Sequence, residues 1–94
     1  MKIITKKEME VLEQVESSDL NDGTQDILYG SVWYDLNDMG VFRGVISSLV
    51  KKQIIKVEEE DKCFGEGQTE IIINSNYYKK CSEGYFELTN LKVK

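Results

Sequence analysis

Between residues 41 and 57 the hydrophobic period of the chain changes from that of a helix to that of a strand with almost nothing between. In VFRGVISSLVKKQ the apolar side chains Val41, Phe42, Val45, Ile46, Leu49 and Val50 form one broad stripe at 100° per residue, and Arg43, Gly44, Ser47, Ser48 and Lys51 take the other side. IIKVEEE follows at once, with Ile55 and Val57 on one face. A loop rich in glycine and charge, DKCFGEGQ, leads to TEIIIN, a natural partner strand. The pattern predicts a helix over 41–52 packed through Val45, Leu49 and Val50, then an antiparallel hairpin from Ile54 to Asn74. Such a pairing restricts the chain to the α+β class.

The N-terminal half starts with a helix signal. Thr5-Lys6-Lys7-Glu8 reads as a capping box, Ile4 and Met9 occupy the positions of a hydrophobic staple, and Met9, Leu12 and Val15 recur at helical spacing. A helix is predicted at about residues 6–17, broken by Ser17-Ser18-Asp19 and by the Asn21-Asp22-Gly23 turn. After a short extended segment from Asp26 to Gly30, Ser31 is placed to cap a second short helix ending near Asn37, with Val32, Trp33 and Leu36 on its apolar face. Trp33 and Leu36 are assigned to the core, because an aromatic ring on the apolar side of a short helix is more often buried than offered to a partner. In the last twenty residues Ser75 is read as capping a helical turn, and YFELT at 85–89 as a strand.

Composition narrows the chemistry. Ninety-four residues make one domain, 1–94, and 40% apolar content with one Trp, five Tyr and three Phe is enough for a packed core. Histidine is absent, which removes Ser-His-Asp and Cys-His nucleophile systems and every imidazole metal ligand. Cys63 and Cys81 have no CxxC spacing, so two free thiols are expected rather than a zinc site or a redox pair. Glu58-Glu59-Glu60-Asp61 lacks the Asp-x-Asp-x-Asp-Gly order of a calcium loop. No cofactor, metal or catalytic residue is assigned. The N-terminus lacks the apolar run of a signal peptide, and no segment reaches bilayer length, so a cytoplasmic protein is expected.

Helix, helix, helix and hairpin in this order resemble a winged-helix domain, and RGVISSLVKKQIIKV at 43–57 looks like the recognition helix and first wing strand of MarR-like regulators. Leu49-Val50-Lys51-Lys52-Gln53-Ile54-Ile55 stands where that family has Leu-Val-Lys-Lys-Gly-Leu-Ile or a close relative. The resemblance covers roughly residues 5–80 and is greatest with the minimal winged helices encoded by phages and mobile elements. It implies a three-helix helix-turn-helix core, a two-stranded β-hairpin wing and a short C-terminal extension. The chain departs from the family in its acidic wing, in lacking long dimerisation helices and at Gln53, which replaces the family's glycine, so that the resemblance implies a left-handed residue bearing a Cβ there.

Charge then offers two targets. From Glu8 to Asp38 there are nine acidic residues and no Lys or Arg, whereas Met39–Val57 carries Arg43, Lys51, Lys52 and Lys56 and no acid. If the resemblance holds, the helix at 41–52 reads duplex DNA in a sequence-specific regulator. Arg43, Ser47 and Lys51 then face the groove, Gly44 and Ser48 allow close approach, and Lys51, Lys52 and Lys56 meet phosphates. A homodimer is expected in that case, because one minimal domain reads few base pairs. The alternative is an acidic protein that binds a host protein through Glu10, Glu13, Glu58, Glu59, Glu60 and Asp61, such as a phage-encoded inhibitor of the anti-CRISPR or DNA-mimic type.

Overall fold

The structure is a computed structural model that describes residues 1–63 and 66–94, with side chains described at all of these except 36, 59–63 and 66. The described residues form two α-helices and seven strands in the order β1 (Lys2–Ile4), α1 (Lys6–Glu16), β2 (Tyr29–Asp35), α2 (Met39–Lys51), β3 (Ile55–Cys63), β4 (Glu66–Ile73), β5 (Tyr78–Lys80), β6 (Phe86–Leu88) and β7 (Leu91–Val93). The largest sheet has the order β2-β4-β3 and is antiparallel throughout. β5 pairs with β6 antiparallel, and β1 with β7 parallel.

The class expectation, α+β, agrees with this architecture, but the three-helix core with a two-stranded wing does not occur. The segment expected to form the second helix is strand β2, followed by one 3-10 turn at Leu36–Asp38. The reason is legible in its side chains. Gly30, Val32 and Tyr34 are buried while Trp33 and Asp35 are exposed, which is period 2. A run of Tyr, Val, Trp and Tyr suits a pleated surface better than a helix. The tertiary structure then makes the difference, because all seven residues of β2 register against β4, from Tyr29 opposite Ile72 to Asp35 opposite Glu66. Gly67 is needed in that ladder. The Tyr34 ring lies over it where a Cβ would have to go, stacked in turn on Phe42 of α2 with ring centroids 4.1 Å apart.

The other elements follow the expected physics. Thr5 and Glu8 form both halves of the capping box, with the Thr5 N–H donating to Glu8 Oε1 at 2.8 Å and the Glu8 N–H donating to Thr5 Oγ1 at 3.2 Å. Gln53 ends α2 with φ of +61°, the left-handed conformation expected there. The core is one cluster between the helices and the inner face of the main sheet, formed by Val11, Leu12 and Val15 of α1, Leu49 of α2, Val32, Ile55, Ile71 and Ile73 of the sheet, and Ile4, Leu28, Ile54 and Phe86. Of the three α2 residues expected to pack, Leu49 is fully buried and Val45 half-buried, whereas Val50, one residue and about 100° round the helix from Leu49, is exposed.

Asn21 docks the C-terminal hairpin. Its side chain donates to the carbonyls of Glu16 and Phe86 and accepts the Phe86 N–H, and Glu16 Oε2 accepts the Leu88 N–H. The YFELT strand is thus present as β6, and the turn at Ser75 is a 3-10 turn whose cap is Asn74, not Ser75. Cys81 is a half-buried free thiol, and the side chain of Cys63 lies outside the described residues.

Candidate functional site

Three surfaces carry the residues that sequence reasoning singled out. The first is the outward face of α2. Arg43, Gly44, Ser47 and Lys51 are all exposed there, and spacings of four residues set them about 6 Å apart along the axis. A Cβ on Gly40 or Gly44 would meet nothing within 4 Å. Internal packing does not explain these helical glycines, each of which costs about 0.5–1 kcal/mol relative to alanine.

Two members of the proposed DNA-binding set have other partners. Lys52 Nζ donates to Glu8 Oε1 at 2.7 Å, and more weakly to the Ile3 carbonyl at 3.4 Å. Ser48 is half-buried and directs its hydroxyl toward the same carboxylate. Glu8 has only 2% of its side chain exposed. Burial alone would raise its pKa, but the Lys52 ammonium, the Thr5 N–H and the Ser48 hydroxyl together outweigh that and hold it below the ordinary 4.5. Lys52 and Glu8 thereby fasten the end of α2 to the start of α1. Lys56 lies off the helix on the outer face of the sheet, with Glu58 Oε1 at 3.6 Å from its ammonium.

The second surface is α1, where Glu10 and Glu13 are exposed. Glu10 borders a groove between α1 and α2 together with Lys7, Asp38 and Val41. The acidic candidates do not converge, since α1 covers the inner face of the sheet and Glu58 lies on the outer one. The side chains of Glu59, Glu60 and Asp61 lie outside the described residues.

The third surface was missed from sequence. The outer face of the β2-β4-β3 sheet carries Tyr29, Ser31 and Trp33 on β2, Gln68, Glu70 and Ile72 on β4, and Lys56 on β3. A bulge between Val57 and Glu59 inserts Glu58, whose side chain borders a hollow of about 310 Å³ with Ile27, Tyr29, Glu70 and Ile72. Trp33 is 55% exposed and Ile27 41%. The expectation that Trp33 belongs to the core is therefore corrected: once residues 29–35 are a strand, alternation sends Val32 and Tyr34 inward and Trp33 out. The signal was available in the run Tyr29 to Asp35, whose strand periodicity competed with the Ser31 capping signal.

No family model, curated protein or solved structure matches the chain. Function must therefore be argued from these surfaces. Among the described residues there is no group of three or more metal-ligating side chains, and no helix is long and apolar enough to cross a membrane.

Proposed function

We propose that the chain is a protein-binding module that docks a basic partner on the outer face of its main sheet. The observation that carries this reading is Trp33, a large aromatic side chain left 55% in water at the centre of an open strand. Tryptophan, tyrosine and arginine are enriched at energetic centres of interfaces, and the same face also carries the apolar hollow lined by Ile27, Tyr29 and Ile72, separated from Trp33 by Ser31. Its charge specifies the partner. Glu58 and Glu70 border one hollow, with Lys56 the one cation among the described outer-face residues. Like charges held together on a folded surface cost stability unless a cation lies across them, and a basic partner would be steered to them and would reject acidic competitors.

Duplex DNA on α2 is the second reading, favoured by the exposed Gly40 and Gly44 beside Arg43, Ser47 and Lys51. With Lys52 engaged by Glu8, the DNA-facing set would offer at most three cations, Arg43, Lys51 and Lys56, to phosphates, and Lys56 already has Glu58 beside it. Affinity for DNA would then fall with salt with a logarithmic slope of only about three, against the repulsion of a chain with net charge −5.

The deciding experiment is capture from host lysate, run beside anisotropy titrations with mixed-sequence duplex DNA at low salt. Trp33→Ala and Glu70→Lys should lose the captured protein while Arg43→Ala and Lys51→Ala retain it. The opposite outcome, with DNA binding that Lys51→Ala weakens and Trp33→Ala leaves intact, would reject the protein-binding reading.

A further inference from the structure

The main sheet has two edges, and the sequence treats them differently. β3, on one edge, has six charged residues among nine, Lys56, Glu58, Glu59, Glu60, Asp61 and Lys62, and the bulge at Glu58. Charge and bulges are the devices by which proteins keep an edge strand from pairing with another chain. β2, on the other edge, has neither. Its register against β4 is unbroken over seven residues, it has no proline, lysine or arginine, and its one charge, Asp35, stands at the end.

The ladder also shows which main-chain groups are unpaired. The Ile73 N–H donates to the Leu28 carbonyl at 2.9 Å, so Leu28 and Ile73 form a hydrogen-bonded pair. Alternation along an antiparallel ladder then makes Gly30, Val32 and Tyr34 the bonded residues of β2. The N–H and C=O groups of Tyr29, Ser31 and Trp33 and the N–H of Asp35 point away from β4 along the open edge of the sheet, while the Asp35 C=O opens the 3-10 turn at Leu36–Asp38.

We propose that β2 pairs antiparallel with β2 of a second copy of this chain, about a two-fold axis at Val32. This is the one register that sets all four odd-numbered positions opposite one another, because each bonded pair must join two of them and the overlap must be complete. Ser31 then faces the second copy's Trp33, Tyr29 faces its Asp35, and Val32 faces Val32 as a non-bonded pair. No two carboxylates stand opposite each other. The equivalent fully overlapped pairing of β3, centred on Glu59, would set Glu59 opposite Glu59 and Glu58 opposite Glu60, which argues for β2 as the self-complementary edge. The product is one six-stranded sheet whose outer face carries both copies of Trp33 as diagonal neighbours, about 7–8 Å apart. This inference rests on main-chain geometry and is independent of the docking reading.

The full chain should sediment at about 100 µM as a species of twice 10.8 kDa, in a mass-action equilibrium with monomer. Val32→Cys, in a Cys63→Ser/Cys81→Ser background, should form an intermolecular disulfide under mild oxidation. The expected Cα separation at a non-bonded pair is about 4.5 Å, within disulfide range. Ile72→Cys on the central strand should not cross-link. Ser31→Pro removes an outward N–H without touching the β4 ladder and should give a folded monomer, and Ser31→Lys should do the same if the proline variant misfolds. A wild-type chain that remains at 10.8 kDa, a dimer that survives in both Ser31 variants, or a Val32→Cys chain that stays uncross-linked would each overturn the proposal. So would a monomer whose β2 edge accepts only a foreign peptide.

Discussion

Replacing Lys52 with methionine would leave the Glu8 carboxylate buried with the Thr5 N–H at 2.8 Å and the Ser48 hydroxyl, and without a counter-charge. Removing one partner of a buried ion pair costs about 3–5 kcal/mol. Lys52 keeps 31% of its side chain in water and Glu8 retains a main-chain donor, so about 2–3 kcal/mol is expected here, scaled down from that range. For a domain of this size that corresponds to a fall in Tm of about 10–20 °C. The loss should depend on pH. In the wild type the Glu8 pKa lies below 4.5, so its contribution is complete above the unfolded value and fades as pH falls through the lower folded value. In Lys52→Met both lowering contributions of the ammonium are gone, so the folded pKa rises relative to the wild type and protonation removes more of the difference between the two as pH falls. Urea unfolding should therefore show the full penalty at pH 7 and less than about half of it near pH 4, with Glu8→Gln in the Lys52→Met background recovering part of the loss at neutral pH. An equal penalty at both pH values, or a double variant as unstable as the single, would show that Lys52 acts through packing of its stem and not through charge.

Leu49→Ala deletes the one fully buried side chain of α2 and should cost about 2–5 kcal/mol in chemical denaturation. Asn21→Ala strands the Phe86 N–H and two carbonyls, so about 1–3 kcal/mol should be lost, with hydrogen exchange accelerated at residues 86–88 ahead of the rest of the chain. Gly44→Ala should raise stability by about 0.5–1 kcal/mol, since nothing lies within 4 Å of the new methyl group; no gain in thermal melting would indicate a helix strained in a way the backbone does not show. Gly67→Ala should do the reverse and cost about 1–3 kcal/mol by displacing Tyr34, read as a lower urea midpoint.

Elements with local signals were legible in the sequence: α1 through its capping box, and α2 and the β3–β4 hairpin through the change of period at residue 54. What failed depended on distant partners. Residues 29–35 carry strand periodicity, yet Ser31 also offers a plausible helix cap, and only β4, some forty residues on, decides between them. Lys52 reads as a phosphate contact in any local window, because its carboxylate lies 44 residues away on α1. The exposed position of Trp33 followed from the same error, since one wrong period reverses the burial of each neighbour. The three-residue strands β1, β5 and β7 are too short for any period to register, and pairing alone reveals them.

β1 and β7 join Lys2 to Leu91, a loop of nearly the whole described chain, and do so in parallel. During synthesis at about 5–20 residues per second, α1 can form as soon as it clears the ribosome, but the strand that leads into its cap has no partner until Leu91–Val93 emerge. The N-terminal strand therefore waits some seconds as a bare, partly apolar edge. Closing so long a loop adds little to its thermodynamic cost, which grows only logarithmically, but it makes this contact the slowest to be found. Its formation would mark the end of folding, and a probe placed across residues 2 and 91 would report a later event than any probe within the hairpin.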